Sequence, residues 1–181
     1  MSRTADVLQE LGSCEITPLV DAAPPQRPLW RGWLHQVTVI AAIPLLVVLA
    51  VTTSSARELV AVLIYAVGFT ATFGVSTLYH RLPHSLPAVR SRFQRADHAT
   101  IFLCIGGTCA PLCLLGLPAA WGIPLLSVVG LGVAVGMTCA LIRRRWAEIT
   151  SGALYIVVGW VAIIAMPPLI MYRGWTPAIL I

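Results

Sequence analysis

The sequence predicts an all-α protein, a polytopic bundle of transmembrane helices, and three observations carry that expectation. Hydrophobic residues make up 58% of the chain and charged residues only 10%, a balance suited to lipid rather than water. Five apolar stretches each approach the roughly 20 residues that a helix needs to cross a bilayer. The twelve basic residues are all arginine and fall almost wholly between those stretches, where topology-setting charges belong.

Residues 1–33 form a polar leader of mixed charge with a proline-containing run, Ala-Ala-Pro-Pro-Gln-Arg-Pro at 22–28. It has none of the marks of a cleaved secretory signal, so insertion is expected to be of the signal-anchor kind. The spans are expected at about 34–53, with Pro44 as a kink, then 59–80, 97–117, 122–142 and 151–170. Their joints are polar, short or proline-bearing. The fourth span holds Gly130, Gly132 and Gly136; the last two have the small-xxx-small spacing that lets helices approach closely. Pro167-Pro168 is expected to close the fifth helix. An incomplete sixth span begins at residue 174, so the chain reads as a C-terminally truncated five-span portion of a larger bundle.

Arginine counting sets the orientation. Arg3, Arg27, Arg31, Arg81, Arg90, Arg92, Arg95, Arg143, Arg144 and Arg145 fall on one side, whereas Arg57 and Arg173 fall on the other. This predicts a cytoplasmic N-terminus in the plasma (inner) membrane. The net charge of +5 follows from that topology. Without aromatic interleaving of a basic patch, no nucleic-acid partner is expected. The five cysteines include no C-x-x-C pair, so ribbon-type zinc sites and thioredoxin-like redox motifs are excluded. Cys104, Cys109, Cys113 and Cys139 read as small hydrophobes inside spans.

Chemistry concentrates between Gly74 and Pro111. Thr72, Ser76 and His80 recur every four residues and share one helix face. Asp97, Cys104 and Thr108 make a looser stripe on the third span, with Asp97 expected in its first turn, at the positive end of the helix dipole. Polar groups inside lipid are costly and face the bundle interior, where they mark a site or pair with one another. The residues leave open a metal site, a proton relay and a hydrogen-bonded pair. His35 and His98 read as structural or interfacial, as do Trp146, Tyr155, Trp160 and Trp175. Few helices carry charged lining residues, which argues against an ion channel or a proton-coupled transporter.

Ser-Thr-Leu-Tyr-His (76–80), Asp-His-Ala-Thr-Ile-Phe-Leu (97–103), Gly-Gly-Thr-Cys-Ala-Pro (106–111) and the upstream Arg-Gly-Trp-Leu-His (31–35) together resemble the hemolysin III family. That family lies within the superfamily of the progestin and adiponectin receptors, whose fold has seven helices. The resemblance implies that His80 is a zinc ligand, Ser76 a catalytic-pocket group, and Asp97 the partner of a zinc-bound water. It further implies a zinc-dependent hydrolase acting on an amide or ester of a membrane lipid. The alternatives are a non-enzymatic, membrane-perturbing (hemolytic) or membrane-sensing protein, and an inactive remnant. In the superfamily the metal also takes two histidines of a His-x-x-x-His motif on the seventh helix. This chain has no histidine after His98. His80 and His84 repeat the spacing, but Pro83 is expected to end the helix between them.

Overall fold

A computed structural model describes residues 30–82, 86–142 and 144–174. Most of the leader, His84, Arg143 and the expected sixth span lie outside the described residues. Among the described residues five helices follow one another: α1 (Trp30–Val51), α2 (Ala56–Arg81), α3 (Pro87–Pro111), α4 (Ala119–Leu141) and α5 (Arg145–Arg173). A π-helical turn, Leu112–Gly116, extends α3. All five are long and apolar enough to cross a membrane, and among the described residues there is no strand. The chain is an integral, multi-pass membrane protein.

The helix ends correct several expected boundaries. The third helix starts at Pro87, ten residues before the expected start, because proline at the first helical position costs no hydrogen bond and presets φ. Counted with the π turn it runs 30 residues, about 45 Å at 1.5 Å per residue, against a hydrocarbon core of about 30 Å. The arginines expected in a loop therefore lie on helix: Arg90, Arg92 and Arg95 occupy its projecting part. Asp97 is not in the first turn, so the helix-dipole argument for it fails. Instead it stands where the apolar part of α3 begins.

The fifth helix also outruns its expected end. It passes through Pro167 and Pro168 and stops at Gly174, whose φ of +82° suits glycine. The two prolines deprive the Ile163 and Ile164 carbonyls of their intrahelical donors. Ala165 and Leu169 nonetheless hold this stretch in place, buried with Leu117 in an apolar cluster. Lipid offers no better alternative for the backbone than helix.

The main core lies between α3, α4 and α5, where Cys109, Val129, Val158 and Val161 are buried together. Cys109, Cys113 and Cys139 behave as small buried hydrophobes, as expected. Gly132 and Gly136 do serve packing, but toward different helices. Gly132 receives Val158 of α5, Gly136 lies against the Phe102 ring of α3, and Gly130 faces open space. The tightest joint is α2 on α3. A Cβ at Gly68 would collide with the Leu103 carbonyl oxygen, and the Gly107 Cα lies 3.3 Å from that same hypothetical atom. α1 packs chiefly on α2 and turns most of its apolar side chains outward.

Candidate functional site

Alternating helix direction brings the start of α1, the end of α2 and the start of α3 to one end of the bundle. Gly32 in the first turn of α1 lets that helix lie against the last turn of α2: a Cβ there would sit 3.4 Å from both the His80 Cβ and the Arg81 Cγ. This contact lays the His35 ring on the His80 ring, with centroids 5.8 Å apart and planes 17° from parallel. Phe73 flanks His35 at 5.6 Å, and Tyr79 flanks His80 at 5.0 Å.

Tyr79 is buried and lies beneath the guanidinium of Arg90, 5.0 Å from its ring centre. Arg90 Nη1 also donates to the Leu82 carbonyl at 3.2 Å, just past the end of α2. One side chain of α3 thus closes the C-terminus of α2, where a cation complements the helix dipole.

The polar stripe on α2 faces α3, though not quite the groups expected. The Thr72 hydroxyl lies 2.8 Å from the Gly68 carbonyl of its own helix and 2.7 Å from the Thr100 carbonyl across the joint. Ser76, one turn on, is 7% exposed. Thr72 and Thr77, on either side of it, bond back to their own helix. Thr108 does not belong to this stripe: it is exposed, and its hydroxyl turns back to the Cys104 and Ile105 carbonyls.

Asp97 is half-buried on α3. Its carbonyl accepts from the Thr100 hydroxyl at 2.9 Å. Tyr155 of α5 is more than a packing residue. Its hydroxyl donates to the His98 carbonyl at 2.7 Å, and its ring stacks on Phe102 at 4.3 Å. Sequence reasoning missed the roles of His35, Arg90, Thr100 and Tyr155. Only His35 carried a signal, as one of four histidines in the chain and one that falls at the arginine-rich end of a span.

A catalytic zinc takes three protein ligands. Among the described residues, no three His, Cys, Asp or Glu side chains are grouped to hold a metal. The described residues therefore do not fit the zinc that the resemblance implies, and no chemical step is derived through it.

A family model described as "Haemolysin-III related" matches residues 25–179. "Hemolysin-3" of Bacillus cereus is 32% identical over 138 residues, which is 75% of this chain and 62% of that protein. "Hemolysin-3 homolog" of Bacillus subtilis (strain 168) is 30% identical over 138 residues, 75% of this chain and 64% of that protein. The matched region thus spans under two thirds of either relative's length. No solved structure matches significantly. On the extent of the family match and the identity to these relatives, the chain belongs to the haemolysin III family.

Proposed function

We propose that this chain carries one side of the site of a membrane hydrolase acting on an amide or ester of a lipid, located where α1, α2 and α3 meet. The observation that supports this is Ser76. A serine 7% exposed between two lipid-spanning helices is a costly placement for a polar side chain, and such residues mark sites. His80 stands one turn away, toward the same end. Asp97, on the neighbouring helix, is the candidate acid–base group.

Under this reading zinc is the cofactor, with His80 as one ligand. The others come from His84, Asp97 or a second copy of the chain. The test is zinc per chain in the detergent-purified protein beside His80→Ala. Near-stoichiometric zinc that disappears in the variant supports the reading; no zinc in either protein refutes zinc-dependent chemistry for this chain.

A second reading, bilayer permeabilisation, is favoured by the names of the two Bacillus relatives. Dye release from vesicles separates the two. Lysis that survives both His80→Ala and chelation belongs to permeabilisation, and lysis that fails with zinc loss belongs to hydrolysis. The arginine-rich end is assigned to the cytoplasmic side of the plasma membrane, and a periplasm-active reporter fused after Ser54 should be active.

A further inference from the structure

At the arginine-rich end, a cavity of about 890 Å³ opens between α3, α4 and α5. Ser91, Gln94 and Arg95 line it from α3, and Arg144, Ser151 and Tyr155 from α5. None of its described lining residues is acidic. Asp97 is not among them. Arg95 Nη1 lies 3.5 Å from the Ser91 hydroxyl, which leaves most of the five guanidinium donors uncommitted by that contact. Arg144 is exposed at the head of α5.

The end of α4 also borders the cavity through Ile142. The carbonyl end of a helix repels anions with about half an elementary charge. Two full guanidinium charges exceed it, so the cavity favours an anion.

Depth decides which anion. The twenty residues from Asp97 to Gly116 cover about 30 Å, the whole hydrocarbon thickness. Ser91, Gln94 and Arg95 therefore sit within about 3–9 Å outside it, at the level of lipid phosphates. Trp146 in the first turn of α5 is 55% exposed, as an interfacial anchor at this level would be. Basic pockets between helices at this depth are suited to anionic headgroups.

We propose that this cavity binds the phosphate of an anionic phospholipid headgroup, with Arg95 and Arg144 as its clamp. Its described lining residues include neither Ser76 nor His80, and the proposal does not depend on zinc.

The test is lipid retention by the purified protein in detergent, read by native mass spectrometry. The probes are phosphatidylglycerol, phosphatidylcholine and inorganic phosphate, each added separately. Phosphatidylglycerol should be retained over phosphatidylcholine, and the Arg95→Gln/Arg144→Gln protein should lose roughly 10- to 30-fold in that preference. Arg57→Gln, which removes a charge at the other end, should leave it unchanged. Where the double variant does not fold, each single variant should lose roughly fivefold. Equal retention of the two lipids, or a preference that survives in the arginine variants, overturns the proposal. Binding of inorganic phosphate without any lipid preference also overturns it, in favour of a soluble anion.

Discussion

The imidazole of His35 on α1 lies 5.8 Å, centre to centre, from that of His80 on α2, with the two rings 17° from parallel. Two lipid-spanning helices thus share a pair of imidazole rings. Stacked aromatic pairs contribute about 0.5–1.5 kcal/mol beyond their buried area. A double-mutant cycle with His35→Ala and His80→Ala, followed by unfolding in detergent, should show coupling of that size. Additive single losses would mean that the rings do not interact.

The α2–α3 joint rests on glycine. Gly68→Ala places a methyl group against the Leu103 carbonyl oxygen, a backbone atom that cannot turn aside. The expected loss is about 1–3 kcal/mol, as for overpacked cores. Gly130→Ala meets open space and should be neutral or stabilising, since alanine is the better helix former. Thermal unfolding of the two variants side by side checks the contrast.

Tyr155→Phe removes the 2.7 Å hydrogen bond to the His98 carbonyl but keeps the ring against Phe102. Hydrogen bonds between membrane helices average about 0.6 kcal/mol, with a maximum near 1.7. A loss in that range, measured by unfolding in mixed micelles, is expected. Tyr155→Ala should cost more, because it also empties the space beside Phe102.

At the opposite end, Arg173 Nη2 donates to the Leu115 carbonyl at 2.8 Å, within the π turn that prolongs α3. Pro111 lacks the N–H that a regular helix would supply to the turn before it, and Arg173 adds a cation at the carbonyl end of that helix. Arg173→Ala should destabilise by about 0.5–1.5 kcal/mol. Arg57→Ala, at the same end but without such a bond among the described residues, should fall within about 0.5 kcal/mol of the parent. Unfolding midpoints of the two variants give the comparison.

Length and apolarity were enough to read five spans from the sequence, because lipid leaves the backbone no choice but helix. The side on which most arginines gather was legible for the same reason: a charged side chain belongs at the end of a span. Family membership was legible in the blocks around Ser76, His80, Asp97 and Gly106. The start of α3 was not, because the arginines at 90, 92 and 95 and the prolines around residue 87 mark a loop between spans, yet residues 87–96 fold as helix from a proline start. Continuation of α5 through Pro167-Pro168 was likewise hidden, since it depends on Ala165 and Leu169 packing against Leu117.

The sequence by itself determined the class, the spans, the family and the Thr72–Ser76–His80 face, all of which follow from local composition and helical period. Only the tertiary structure decided which groups meet. It set His35 on His80, Thr72 against the Thr100 carbonyl, Tyr155 against His98, and Arg95 across a cavity from Arg144. Those pairings depend on helix rotation and depth, fixed here by glycines such as Gly68, where backbones approach, and Gly136, which makes room for the Phe102 ring. Periodicity places a residue on its own helix; the neighbour it meets is chosen by packing between helices.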